Sequence, residues 1–281
     1  MLNSARFPSR LTAGLICSLA LATAASAATA DSATAGKPPS VDELVKLKQN
    51  PVSGLRQVIF QADVSPDLPG SGKTAGAYSL QAVWPFPLGE DWRLITYTIL
   101  PLIQLPQANG QSTTVGLGDT LLNFYITPKR PGALVWGVGP AVLLPTRSNP
   151  DLGSNRFGIG PSALLYYAKD AWGAGVVLQN VWSLGGAAVN EVNEVNEFSA
   201  QYFLNYNLPH GWFLYSNATV TADWTVGSGD RWTVPVGGGA GKVFNIGKQS
   251  ASASLQALSN VVTPPGGAKW SVVFQFSLLF P

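Results

Sequence analysis

The chain has 281 residues, of which only 11% are charged against a usual ~25%, while 46% are apolar. That balance argues against a water-soluble globule, and its richness in Trp is the opposite of a disordered composition. A single His and a single Cys exclude a zinc site of the usual kind, so no metal or cofactor is implied.

The chain opens with Arg6 and Arg10, an apolar run from Leu11 to Ala24, and Ala25-Ser26-Ala27, an A-x-A cleavage site. This is the pattern of a secretory signal peptide over residues 1–27. Its apolar core is too short for a membrane helix. Without Arg6 and Arg10 the mature chain carries fifteen basic and fifteen acidic residues, so no excess of basic charge points to nucleic acid. Cys17 leaves with the signal peptide, and the exported chain has no disulfide to form.

Residues 28–54 read as a periplasmic linker followed by a short helix. Ser40 and Glu43 have the spacing of a capping box, and Asn50-Pro51 stops the helix, which is predicted over 41–49. From residue 55 to 281 the period changes to two. In 269–280, Trp270, Val272, Phe274, Phe276, Leu278 and Phe280 share one face while Ser271, Gln275 and Ser277 share the other. Twelve segments follow this rule: 55–64, 76–87, 91–105, 115–127, 132–144, 156–168, 172–183, 197–208, 212–225, 231–244, 249–260 and 269–280. Pro101 is expected to mark a bulge in the third. The connections alternate between short turns, such as Gly89-Glu90 and Asp170-Ala171, and longer loops, such as 65–75, 145–155 and 184–196.

No run after the signal peptide suits a membrane helix, but alternating ten-residue segments suit a membrane barrel. The fold class is therefore all-β: a transmembrane, antiparallel, up-and-down β-barrel of about twelve strands with a short N-terminal helix. Trp92, Trp172 and Trp212 follow short turns, while Trp182, Trp224, Trp232 and Trp270 lie at the opposite strand ends. Two rings of amphipathic aromatics mark two membrane–water interfaces. A segment at 136–144, Trp136-Gly137-Val138-Gly139-Pro140 onward, repeats at 157–165 with the same Gly-x-Gly-Pro core. Its glycines fall on the lumen face; a local duplication without function accounts for it equally well.

Gly116-Leu117-Gly118-Asp119, Pro128-Lys129, Trp136-Gly137-Val138-Gly139-Pro140, Leu144-Pro145-Thr146, Trp182-Ser183 and the ending Phe276-Ser277-Leu278-Leu279-Phe280-Pro281 resemble, in order and spacing, the outer-membrane "MetA-pathway of phenol degradation" family. Its members are often called simply transporters, or by the misnomer neuromedin U. The resemblance runs from about Gln49 to the C-terminus and implies an outer-membrane barrel that passes hydrophobic or aromatic small molecules. It transfers no catalytic residues. The C-terminus also resembles the barrel-assembly signal, carried by Phe276 and Phe280, with Pro281 as a departure from a terminal Phe.

Other motifs have plainer readings. Gly70-Ser71-Gly72-Lys73-Thr74 mimics a phosphate loop, but Asp67 stands where its first Gly belongs, so an external loop is expected. His210 reads as a turn residue rather than the base of a hydrolase. The threefold Val-Asn-Glu run at 189–197 reads as a solvated loop rather than a Ca²⁺ site. The lumen-lining candidates are Asp63, Asp119, Asn123, Gln201, Asn205, Asn217, Asp223 and Arg231, with Asp223 and Arg231 forming either a constriction pair or an ion pair that stiffens the barrel.

The expected protein is not an enzyme. It is a porin-like channel or transporter in the outer membrane of a Gram-negative bacterium, passing small hydrophobic or aromatic molecules passively. The alternative is a structural or surface-interaction barrel with a closed lumen. The partners expected are outer-membrane lipid and lipopolysaccharide, the barrel-assembly machinery and a small-molecule solute.

Overall fold

Alternation at period two sends every second side chain to the same face of a strand, and a sheet that closes on itself turns those faces into an outside and an inside. The computed structural model describes residues 39–107, 110, 112–184 and 194–281. The signal peptide and most of the Val-Asn-Glu run lie outside the described residues. The strands are β1 (Arg56–Leu68), β2 (Lys73–Leu88), β3 (Trp92–Pro106), β4 (Thr113–Leu117), β5 (Thr120–Pro128), β6 (Leu134–Leu144) and β7 (Gly158–Lys169). They continue as β8 (Trp172–Ser183), β9 (Asn196–Asn207), β10 (Trp212–Asp223), β11 (Trp232–Ile246), β12 (Gln249–Val262) and β13 (Trp270–Phe280). Apart from β4 and β5, consecutive strands pair antiparallel, and β1 pairs with β13 from Arg56↔Phe280 to Val64↔Val272, which closes the barrel.

The segments β4 and β5 form one stave, because both pair with β3 and are separated only by Gly118 and Asp119. The barrel is therefore a closed antiparallel cylinder of twelve staves. The irregularity expected at Pro101 falls in this facing stave: β3 runs unbroken through Pro101 and exchanges β5 for β4 there. Twelve staves about 4.8 Å apart, tilted about 40°, give a backbone cylinder of roughly 12 Å radius, much of which inward side chains fill.

Short turns sit at one end of the barrel with residues 56 and 280, and longer connections sit at the other; these are the turn end and the loop end. One expected long loop is short. β1 and β2 extend as a hairpin to Leu68 and Lys73, so the 65–75 connection shrinks to 69–72. Its Gly70 (φ 87) and Gly72 (φ 61) adopt the left-handed conformation that a tight turn needs. The phosphate-loop mimic is this hairpin tip.

The outward face is apolar, and Phe60, Trp172, Leu214 and Leu255 are each about half exposed. Trp92, Trp172 and Trp212 project outward at the turn end, and Trp182, Trp224, Trp232 and Trp270 at the loop end. Trp84 and Trp136 join the turn-end ring, with Trp136 edge-on to Trp92 at 6.0 Å. Among the described residues no helix is long and apolar enough to cross a membrane. The outward stripe of lipid-compatible side chains supplies the span instead.

The helix α1 (Val41–Gln49) forms as its sequence requires. Ser40 Oγ accepts from the Glu43 amide at 3.3 Å, and Glu43 Oε2 accepts from the Ser40 amide at 2.7 Å. Acidic residues occupy its first turn and Lys46 and Lys48 its last, which complements the helix dipole. Leu44 and Val45 are buried with Leu55, Phe213, Val243 and Leu279, all on the inner face, so α1 plugs the turn-end mouth from within.

Candidate functional site

The site is the lumen. One parity set faces it consistently from strand to strand: Gln61 opposes Ser79 and Gln275, Tyr97 opposes Val83 and Asn123, and Gln201 opposes Val177 and Thr219. At mid-height these side chains form a belt. Tyr97 Oη donates to Gln81 Oε1 at 2.5 Å, and Gln81 Nε2 donates to Ser79 Oγ at 2.8 Å and Gln61 Oε1 at 3.4 Å. Gln275 Nε2 also donates to Gln61 Oε1. Across the lumen, Gln201 Nε2 donates to Asn217 Oδ1 at 3.0 Å, and the Tyr125 and Ser162 hydroxyls share a hydrogen bond of 2.9 Å. Amides and hydroxyls donate and accept without carrying charge, so the belt presents polarity with little field.

Toward the turn end the lumen becomes apolar. Val52, in the segment after α1, is buried with Ile95, Tyr125, Val135, Leu164, Tyr166 and Phe203. Arg93 Nη1 holds that segment by donating to the Val52 carbonyl at 3.2 Å. Helix α1 is fixed at three further points. Asp42 accepts from the Gly211 amide at 2.6 Å, Gln49 donates to Asn207 at 2.7 Å, and Lys48 Nζ lies 3.4 Å from Gln275 Oε1 and 5.3 Å over the Phe213 ring. Gly211 (φ 80) has to be glycine: its backbone is left-handed, and a Cβ would strike the Val243 carbonyl. Burial of Lys48 lowers its pKa to about 8.

At the loop end, residues 145–157 fold inward against β4. Ser148 Oγ accepts from the Leu117 amide at 2.7 Å, and Leu152 is buried beside Gly116. Asp119 organises this loop. Its carboxylate accepts from the Ser154 amide at 2.6 Å, the Ser154 hydroxyl at 2.8 Å, and the amides of Asn155 and Arg147 at 3.1 and 3.3 Å.

The remaining sequence candidates distribute as follows. Asp63, Asn123, Gln201, Asn205 and Asn217 project into the lumen. The Asp119 carboxylate is engaged by the 145–157 loop that folds in at the loop end. Asp223 ends β10 and Arg231 precedes β11, so both sit on the loop-end rim. Arg231 stacks 4.9 Å over Trp224 and donates to the Val226 carbonyl. His210 is an exposed turn residue with φ 63. Glu197, at the end of the Val-Asn-Glu run, lies within β9 rather than in a loop. Phe276 and Phe280 face outward on β13.

Sequence reading missed most of the belt. Gln61, Gln81 and Tyr97 lie where threonines on the outer face, such as Thr96 and Thr98, and prolines on the inner face, such as Pro85 and Pro101, blur the alternation. It also missed the plug's Val52, because nothing local distinguishes a valine inside a lumen from one in a linker.

The Gly-x-Gly-Pro repeat has a local structural cause. At Gly139 and Gly160 a Cβ would collide with the carbonyl oxygens of Phe124 and Asn180 on the adjacent strands. Next to each, Pro140 or Pro161 has no N–H to give the ladder, and the pairing skips two residues there.

Among the described residues no group of three or more His, Cys, Asp or Glu residues is placed to hold a metal ion. Residues 69–276 match the family described as "Putative MetA-pathway of phenol degradation". No curated protein matches the chain. Among solved structures, the chain is similar to an outer membrane channel from Pseudomonas putida F1, with a TM-score of 0.59, 18% identity, and coverage of 80% of this chain and 94% of that one. It is more distantly similar to the NanC porin (TM-score 0.47, 12% identity, covering 80% and 99%). Outer membrane phospholipase A from Escherichia coli follows (TM-score 0.46, 14% identity, covering 80% and 90%).

Proposed function

The chain belongs to the "Putative MetA-pathway of phenol degradation" family, and from that premise we propose that it is an outer-membrane channel for small, uncharged, hydrophobic or aromatic molecules. The observation that carries this reading is the pairing of two lumen surfaces. The belt of Gln81, Tyr97, Tyr125 and Gln201 lies directly above the apolar cluster of Ile95, Leu164, Tyr166 and Phe203. A phenol-like solute has a ring for the second surface and a hydroxyl for the first. A pore selective for ions uses rings of charged side chains, whereas the belt is made of amides and hydroxyls.

The mechanism is diffusion, with solute exchanging hydrogen bonds along amides and hydroxyls. The turn end, with the plug, faces the periplasm in this reading. No covalent chemistry is assigned, because His210 is exposed in a turn; hydrolysis of lipid by the purified protein would overturn that part.

The test is single-channel conductance in a planar bilayer, with phenol titrated into one chamber, paired with phenol uptake by cells with and without the chain. The expected result is small conductance steps that phenol blocks or slows, and uptake that depends on the chain. Neither conductance nor chain-dependent uptake would favour a closed structural barrel. One observation supports that second reading: α1 covers one mouth and residues 145–157 fold over part of the other.

A further inference from the structure

The plug distributes its charges unequally. Asp42, Glu43 and Lys46 are exposed on α1, and the two acids act locally, Asp42 on the Gly211 amide and Glu43 in the capping box. Lys48 is turned the other way. It stands one turn after Leu44, on the face of α1 that enters the barrel. Its Nζ lies 3.4 Å from Gln275 Oε1 and 5.3 Å over the Phe213 ring, and both partners belong to the lumen face.

A cation drawn out of water is normally paired with a carboxylate. Among the described residues no carboxylate pairs with Lys48. Asp63, on the same wall, lies two positions beyond Gln61 towards the loop end, where Ser271 hydrogen-bonds to it. Arg93, the inward cation of β3, is engaged differently, because it donates to the Val52 carbonyl. Lys48 has one long hydrogen bond, to a neutral amide, while an ammonium has three donors to place.

The amine is not sealed off from the lumen. Lys48, Gln275 and Tyr215 are each half-buried, whereas Phe213 is covered by the plug. Ser254 stands opposite Gln275 on one side and Gln61 on the other, so hydroxyls and amides flank the site, each able to turn a donor towards an anion. The Tyr215 ring lies 5.7 Å from that of Phe213 and sets an aromatic surface next to the charge. Val52, four residues further along the plug, leads to the aromatic cluster of Tyr166 and Phe203.

We propose that Lys48 is a binding site for the carboxylate of a small aromatic acid, whose ring lies against Tyr215. At pH 7 a phenol is neutral and is served by the amides and hydroxyls of the belt. A carboxylate is ionised at that pH and gains most from a cation without a counter-ion. Burial lowers the Lys48 pKa to about 8, so most of the amine keeps its proton at pH 7. A single amine makes a site for one anion, not the ring of charge of an ion-selective pore. This site rests on the channel reading, since the acid reaches Lys48 through the lumen, and it extends that reading from neutral solutes to anions.

The probes are benzoate, its neutral counterpart benzyl alcohol and its cationic counterpart benzylammonium, each applied to the full chain at pH 7. Binding is read as a rise in the thermal midpoint of the heat-modifiable gel-mobility shift, because a ligand of the folded state stabilises it. Access is read separately, as block of single-channel conductance. Benzoate is expected to raise the midpoint and to block, and benzylammonium to do neither. Lys48→Met is expected to abolish the rise and to weaken benzoate block, relative to block by benzyl alcohol, at least fivefold. Lys48→Arg keeps the charge and should retain both effects. Benzoate effects that are the same in Lys48→Met and wild type overturn the site and leave the channel reading intact, and benzylammonium acting as strongly as benzoate does the same. A benzoate rise that Lys48→Met abolishes, in a chain without conductance, keeps the site and overturns the channel reading. Wild-type chain with neither conductance nor a benzoate rise overturns both.

Discussion

The two ends of the barrel are closed by different physics. The turn end is filled by apolar burial: α1 sets Leu44 and Val45 among Phe213, Val243 and Leu279, and Val52 joins the aromatic cluster beside it. The loop end is covered by a polar latch, in which one carboxylate, Asp119, gathers three backbone amides and a hydroxyl. Burial is spread over many contacts and has no direction, so it weakens by degrees. A latch that depends on one acceptor fails when that acceptor changes. The sharpest way to break this comparison is to remove the plug. Deletion of residues 39–54 is expected to raise single-channel conductance several-fold, because the barrel wall closes through β1–β13 pairing without it. Unchanged conductance would place the main barrier elsewhere and sink the assignment of α1 as the closure.

Single substitutions grade the two closures. Leu44→Ala is expected to destabilise the docked plug by about 2–5 kcal/mol, as for other buried leucines, read as a lower thermal midpoint of the gel-mobility shift together with more frequent channel opening. Asp119→Asn keeps the shape but turns one acceptor oxygen into a donor facing donors, a loss of about 1–3 kcal/mol that falls on the loop alone. Trypsin cleavage at Arg147 or Arg156 should accelerate while the barrel's thermal midpoint holds. A drop in the barrel midpoint instead would make Asp119 part of the wall rather than a latch.

The contrast between the ends also explains what could be read in the chain. Strand positions and the aromatic rings were legible because lipid on one side enforces a strict alternation, as in Trp270 to Phe280. The helix was legible because Ser40 and Glu43 act locally. Whether that helix hangs free or enters the lumen depends on Phe213 and Val243, more than 160 residues away, and no local pattern encodes that. Asp119 follows the strand alternation in sequence, and nothing local reveals that its carboxylate gathers the 145–157 loop. The break in β10–β11 pairing, where residues 216–220 and 234–238 form no register pairs, was hidden for a similar reason: Pro235 and Gly237–Gly239 mark a weak strand, but that Gln256 of β12 reaches across to the Asn217 backbone is a fact of three strands together.

Lys48 gives the smallest expected effect and the finest probe of the plug. It is a charge carried by the plug, partly compensated by Gln275 and the face of Phe213. Burial lowers its pKa from 10.5 to about 8, so the fold disfavours the charged form. Unfolded, the side chain keeps its proton up to about pH 10.4. Between pH 8 and that value the unfolded chain binds more protons than the folded one, so stability rises with pH across this window, and below it the penalty is present in full. Lys48→Met fills similar space without the charge. The variant is therefore expected to melt a few degrees above the wild type at pH 7, with the gap closing between about pH 8 and 10 as the wild-type lysine becomes neutral. A gap that stays constant with pH would mean that Lys48 reaches water at the mouth. In that case the turn end would be less tightly closed than the burial of Leu44 and Val45 indicates.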